Sequence, residues 1–390
     1  MRRIAVVTTS RADYGIYRPL LMRLQADPEV ALLLVVSGMH LRPVFGHTVD
    51  EIEADGLEIA ERLDFMDKDD NGLAVAKTMG RATIAFAESF DRLSPDIVVV
   101  LGDRYEMHAA AVAAQPLAIP VAHLHGGELT LGAMDDNLRH AMTKLSHLHF
   151  VSTKDYARRV RQLGEEDWRI TVSGAMGLDN LEGQERASRA ELEALLSLPL
   201  DPAPLLVTYH PATRQVGDVE TQSEGLFDAL HRSGLPCIFT APNADEGGRR
   251  LRALIEGFVE AHPDARLVEH LGTRGYFGLM TVAAAMVGNS SSGIIEAASF
   301  GLPVVNIGER QEGRIRAENV IDVRAEAQAI EKAIAKATSV PFKNSLSGLK
   351  NPYRREKPAA EVIHERLITT PLDERLIKKY FVDFIESTSG

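Results

Sequence analysis

Ile97-Val-Val-Val-Leu101, running directly into Gly102-Asp103, decides the fold of this 390-residue chain. Five consecutive apolar residues leave no polar face, so the strand they form is buried on both sides. That is the pattern of a parallel sheet covered by helices. Working outward, similar Val/Ile/Leu runs at 4–9, 30–36, 119–124, 148–151 and 169–172 alternate with longer amphipathic segments such as 14–26, 74–93, 106–115 and 136–147. The alternation resumes with strands at 204–209, 236–240, 285–288, 303–307 and 319–323, and helices at 218–232, 247–260 and 292–300. One sheet does not hold so many strands, so two Rossmann-like halves are expected, 1–178 and 200–365, with the break between Arg169-Ile-Thr-Val172 and Pro202-Ala-Pro204. A terminal segment, 366–390, reads as helical from about Asp373 to Glu386 and is expected to pack back onto the first half.

Composition narrows the class. The formal charge of -12 argues against a broad nucleic-acid surface, while leaving room for a small anion held by a few arginines. The single cysteine, Cys237, fits a reducing cytoplasm. Met1-Arg-Arg leads straight into a strand, which is no signal peptide, and no apolar run approaches the ~20 residues of a membrane span.

In open parallel sheets ligands bind where strands end. The densest exit here is His123-Leu-His-Gly-Gly-Glu128, continuing to Asp135-Asp-Asn-Leu-Arg-His140. It supplies several titratable types directly after a core strand, as acid–base chemistry on a small molecule requires. Asp103 leaves the neighbouring strand; Arg104 beside it offers a purely structural ion pair as the alternative. One of Asp135 and Asp136 can cap the helix that follows, leaving the other for chemistry. Arg11, after Thr8-Thr-Ser10, suits a diphosphate, because guanidinium stays charged and bonds in pairs; pairing with Asp13 or Glu106 is its plain alternative. His123-x-His125 and His147-x-His149 have metal-ligand spacing, but no third ligand matches, and no metal is expected.

The second half contributes Gly288-Asn-Ser-Ser-Ser-Gly-Ile-Ile-Glu296, small residues that leave backbone N–H groups open at a helix start. Ser290 and Ser291 are the donors there and Glu296 can reach a ribose; an N-cap serine and a surface glutamate are the plain alternative. His210 in Tyr209-His-Pro-Ala-Thr-Arg214 and Arg310 after Ile307-Gly-Glu are further phosphate contacts. The chain has no Walker loop and no GxGxxG, so no cofactor is expected, and without a Gly-x-Ser-x-Gly elbow the serine-hydrolase reading fails.

Taken in order, Thr9-Ser-Arg-Ala-Asp-Tyr-Gly15, Val36-Ser-Gly-Met-His40, Leu101-Gly-Asp-Arg-Tyr-Glu106, His123 to Glu128, Asp135 to Lys144, His210-Pro211 and Gly288 to Glu296 resemble the UDP-N-acetylglucosamine 2-epimerase family, in its hydrolysing branch. The resemblance covers about residues 1–365. It implies a GT-B fold, two Rossmann-like domains facing a central cleft, and a cytoplasmic homo-oligomer, dimer or tetramer. It further implies Arg11, His210, Ser290 and Ser291 on the diphosphate, Glu296 on the ribose, and Asp103 with the 125–136 loop around the sugar. Some members carry glutamate where His125 stands, so the proton acceptor here is either His125 or Glu128. The implied reaction converts UDP-N-acetylglucosamine and water to N-acetylmannosamine and UDP, by C2 deprotonation, anti-elimination of UDP and hydration of a 2-acetamidoglucal. The same chemistry on UDP-2,4-diacetamido-2,4,6-trideoxyglucose is the alternative, followed by a non-hydrolysing epimerase, a glycosyltransferase and a silent sensor. No nucleic-acid or membrane partner is expected.

Overall fold

The computed structural model describes residues 1–69, 71–131, 134–181, 185–210, 219–241, 248–269 and 271–383. The chain forms two compact units. The first comprises residues 1–128, 134–179 and 353–390; the second comprises 129–133 and 180–352.

The first unit alternates β1 (Arg2–Thr8), α1 (Arg11–Ala26), β2 (Val30–Ser37), α2 (Val49–Ala54), β3 (Ile59–Leu63), α3 (Gly72–Leu93), β4 (Ile97–Leu101), α4 (Tyr105–Ala114), β5 (Val121–Leu124), α5 (Met134–Leu145), β6 (Leu148–Val151), α6 (Lys154–Gln162) and β7 (Ile170–Val172). Its parallel sheet has the order β3-β2-β1-β4-β5-β6-β7. Every residue of β4 is buried, as the apolar run requires. β4 and β5 run in register, Val98 beside Val121 and Leu101 beside Leu124, so their exits lie side by side. β3 was not legible as a strand: its Ile-Ala-Glu-Arg-Leu is polar and mostly half-buried, as an edge permits.

The second unit runs α7 (Arg189–Leu196), β8 (Leu205–Thr208), α8 (Val219–Ser233), β9 (Cys237–Thr240), α9 (Gly248–Ala261), β10 (Ala265–Val268), α10 (Gly272–Val282), β11 (Ala285–Gly288), α11 (Ser291–Ile295), β12 (Val304–Ile307), β13 (Val320–Val323), α12 (Ala327–Thr338) and α13 (Val340–Ser345). Its sheet order, β10-β9-β8-β11-β12-β13, repeats that of the first unit without the seventh strand. β10, another half-buried edge strand, also escaped the sequence reading.

The chain rejoins the first unit at Tyr353, ahead of the expected 366, through α14 (Ala359–Thr369), whose Ile363 and Leu367 enter that unit's core. The helix expected over 373–386 is only α15 (Glu374–Ile377); residues 378–383 follow without regular structure, and 384–386 lie outside the described residues.

Candidate active site

The exits of β1, β4 and β5 gather the acid–base groups of the first unit. Gly102 N donates to Leu124 O at 2.9 Å, tying the β4 exit to β5. Asp103 follows and takes an ion pair from Arg139 of α5, an arginine only 2% exposed. Removing Asp103 from this pair leaves the charge of the buried guanidinium uncompensated. Arg104 turns instead to Glu106, with contacts of 2.7 and 3.2 Å, so the Asp103–Arg104 alternative is not what forms. Asp136 faces Arg139 at 3.9 Å and His140 at 3.7 Å, with Asp135 half-buried beside it. Neither aspartate is the N-cap, because α5 begins at Met134 and holds both in its first turn.

His123 is fully buried and burial pushes its imidazole down to about 3, so it is neutral. Its Nε2 lies 2.7 Å from Gly102 O, a pure acceptor, which assigns the ring proton to Nε2. His125 is different. Its backbone sits at φ 63°, a left-handed conformation uncommon outside glycine, and is held there by N–H donation to Phe150 O at 2.8 Å. Its Nδ1 meets Glu128 Oε1 at 2.8 Å, and Ser152 Oγ donates to the same oxygen at 3.1 Å. Glu128 is 3% exposed. In the neutral ring, with Nδ1–H donated to the carboxylate, the lone pair falls on Nε2, and this buried nitrogen has no partner among the described residues. Gly127 completes the turn at φ 75°, where a Cβ would lie 2.6 Å from Tyr156 O.

Arg11 is the first residue of α1 and reaches Glu51 of α2 at 3.0 Å, not Asp13 or Glu106. Asp13 is taken by Thr8, Thr9 and Ser10. Both ends of the Arg11–Glu51 pair are more than a third exposed, and such pairs are worth about 0–1 kcal/mol.

In the second unit the β11 exit organises the site. Gly288 has φ 138° and lies so close to Thr208 O that a Cβ would come within 2.0 Å. Asn289, 3% exposed, accepts from His210 N and donates to His210 O, both at 2.8 Å. Its own carbonyl accepts from Arg310 Nη1 at 3.1 Å and Gln311 Nε2 at 2.9 Å. The side-chain amide and the backbone carbonyl of this one residue therefore bind three strand exits together. Burial, then the charge of Arg310, pushes His210 down to about 3; as a neutral ring it offers a hydrogen bond, and Arg310 supplies the charge. Ser290 is the N-cap of α11 and accepts from Ser292 N, Ser291 opens the helix, and Glu296 closes it. Burial, with the charge of Glu296 adding to it, raises Tyr276 to about 12. Pro211 to Arg214 lie outside the described residues.

Among the described residues no group of three His, Cys, Asp or Glu side chains is arranged to hold a metal. His147 and His149 are committed elsewhere, to Val121 N and Glu165. No helix among the described residues is long and apolar enough to cross a membrane. Sequence reasoning missed Arg139, Ser152 and Asn289 as site residues. Asn289 was visible inside the quoted 288–296 stretch, and Ser152 stands just beyond the β6 strand.

Two parallel-sheet α/β units with these strand orders place the chain in the class of GT-B-like folds. The chain belongs to the UDP-N-acetylglucosamine 2-epimerase family, whose profile matches residues 22–367. It is 38% identical over 386 residues to GDP/UDP-N,N'-diacetylbacillosamine 2-epimerase (hydrolyzing) of Campylobacter jejuni, covering 98% of this chain and 99% of that one. It is 38% identical over 380 residues to UDP-N,N'-diacetylbacillosamine 2-epimerase (hydrolyzing) of Legionella pneumophila, covering 97% and 99%. Its fold matches that of UDP-GlcNAc 2-epimerase from Neisseria meningitidis, solved bound to UDP-GlcNAc, with TM-score 0.82, 18% identity and coverage of 95% and 100%.

Proposed function

We propose that this protein is a hydrolysing 2-epimerase acting on a UDP-linked 2-acetamido sugar. The observation that carries the reading is the His125–Glu128 pair, which in the neutral ring puts the lone pair on a buried Nε2 that has no partner among the described residues. In this reading His125 Nε2 removes the C2 proton. The electron pair forms the C1–C2 double bond as the C1–O bond breaks, and UDP departs with the bonding electrons. Water then adds across the glycal, its oxygen to C1, and C2 is protonated from the opposite face. Inversion thus needs two acid–base groups, and Asp103, held by Arg139, is the second. Glu128 orients His125, and Asp135 belongs to the same acid–base set. Arg11, His210, Ser290, Ser291 and Arg310 hold the phosphates, and Glu296 the ribose, stabilising the departing dianion electrostatically.

The substrate we favour is UDP-N,N'-diacetylbacillosamine, the 2,4-diacetamido-2,4,6-trideoxy sugar, because the two relatives aligned over nearly the whole chain are named for it. UDP-N-acetylglucosamine, named in the family's own description, is the second reading. The test offers each nucleotide sugar in D2O. Release of UDP with a manno-configured sugar deuterated at C2 supports the reading, and the faster substrate identifies the specificity. Product that stays linked to UDP, or no exchange with either compound, overturns it. His125→Gln abolishes C2 exchange, whereas Glu128→Gln, which keeps an acceptor for Nδ1–H, leaves a measurable fraction. The reverse order would make Glu128 the proton acceptor.

A further inference from the structure

Far from the strand exits, the other end of α5 is tied to the chain's last described segment. Glu165, 2% exposed, collects three donors: Lys144 Nζ at 2.6 Å, Lys379 Nζ at 2.9 Å and His149 Nε2 at 3.0 Å. Burial alone would raise this carboxyl, yet His149, Lys379 and Lys144 together hold it down at about 2. Lys144 stands in the last turn of α5. Lys379 also donates to Lys144 O at 2.8 Å and Ser146 O at 2.6 Å, so one ammonium caps the carbonyl end of α5 and neutralises the buried carboxylate.

The segment that delivers Lys379 has little regular structure of its own and is held by side chains. Arg169, 1% exposed, donates to the carbonyls of Arg375 at 2.8 Å, Leu376 at 2.9 Å and Lys378 at 3.1 Å. Arg169 and Arg375 both lie over Trp168, at 4.2 and 4.5 Å from its ring centre. Beyond Lys379, the Phe381 ring lies so close to Gly164 that a Cβ there would come within 2.5 Å of it, and it also packs under Lys144 Nζ at 4.9 Å. Val382 N donates to Gly164 O at 2.9 Å. At the centre of these contacts the side chains of Glu165 and His149 are fully buried.

We propose that the C-terminal strap, residues 374–382, is a positioning clamp for α5: Lys379 and Lys144 share the buried Glu165 carboxylate, and this fixes the helix that presents Arg139 to Asp103. Lys144 and Arg139 are five residues apart on one helix, about 7.5 Å along its axis. A slip at one end is therefore carried to the other, and misplacing a reacting group by about 1 Å can cost about 100-fold in rate. Lys379 and Lys144 are positioning residues; neither touches the sugar. The catalytic part of the inference rests on the proposed function, whereas the structural part does not.

The test replaces Lys379→Met, Lys144→Met and Lys379→Arg in the full chain. It measures kcat and KM for the faster nucleotide sugar, and hydrogen–deuterium exchange of the amides of 134–145. Each Met variant is expected to lower kcat about tenfold with KM within about twofold, and to speed exchange in 134–145 while α1 and α4 stay protected. Lys379→Arg should recover most of kcat, since its charge remains. Unchanged exchange in 134–145 in both Met variants overturns the clamp, as does a kcat that stays at the wild-type value. Should Lys379→Met fail to fold, Lys144→Met, whose side chain is 40% exposed, decides alone. A wild-type protein that turns over neither sugar defeats the proposed function, and the exchange measurement still judges the clamp.

Discussion

The two units share a strand order and differ at the same topological point. In each sheet the chain order reverses beside the first strand, between β1 and β4 in one and β8 and β11 in the other. The fourth strand leaves through Gly102-Asp103 in the first unit and through Gly288-Asn289 in the second. Asp103 carries a charge matched by Arg139; Asn289 carries none and stitches His210, Arg310 and Gln311 together by four hydrogen bonds. One oxygen-for-nitrogen exchange separates a group that can move a proton from one that can only hold a scaffold. The fold supplies the position, and the side chain decides the chemistry.

Exchanging the two residues attacks that contrast most directly. Asp103→Asn makes the first unit's exit resemble the second's, and turnover is expected to fall about 10³-fold while circular dichroism keeps the folded signature. A variant with more than a tenth of wild-type activity would remove Asp103 from the acid–base pair. The converse, Asn289→Asp, puts a buried carboxylate against the His210 carbonyl and removes the donor that carbonyl needs. The expected loss is about 3 kcal/mol, read as a lower urea midpoint, with weaker UDP binding by calorimetry. An unchanged midpoint would show that the amide is not what holds these exits.

Acid should separate the units next. Burial holds His40 and His147 down at about 4 and His123 at about 3 in the first unit, and His210 at about 3 in the second. Their unfolded value is near 6.5, so above that pH they cost nothing extra. As pH falls below it, the unfolded chain takes up protons first, and stability drops by about 1.4 kcal/mol per pH unit for each group. Glu165, held at about 2, adds to the loss below its ordinary value, while Asp13, raised by burial, works the other way. The first unit should therefore unfold at higher pH. The chain's single tryptophan, Trp168, lies in that unit, so its fluorescence change should precede loss of far-ultraviolet ellipticity. Coincident transitions would count against the contrast. The smallest effect belongs to Ser290→Ala, which deletes the cap of α11 and is expected to cost about 1 kcal/mol with a several-fold weaker UDP complex. Full-strength UDP binding would leave Ser290 a cap and nothing more.

Much of this was determined by sequence alone. Apolar runs such as Ile97–Leu101 sit in the middle of a sheet because no face of them tolerates water, and the polar residues after them mark the exits. Asp103, His125 and Glu128 could be found that way, since strand ends are local features; Asn289 lay in the same kind of exit but was passed over beside its serines. What the sequence could not determine was pairing. Arg104 is adjacent to Asp103 yet turns to Glu106, while Arg139, 36 residues on, takes the aspartate; Glu51, and neither Asp13 nor Glu106, takes Arg11. Edge strands β3 and β10 stayed hidden because a half-solvated strand needs no apolar run. The return of the chain at Tyr353 and the union of Lys144, Glu165 and Lys379 join residues more than 200 positions apart, and no periodicity encodes that. Local burial patterns write the elements; which charge meets which is decided only when the sheet brings distant segments within a few ångströms.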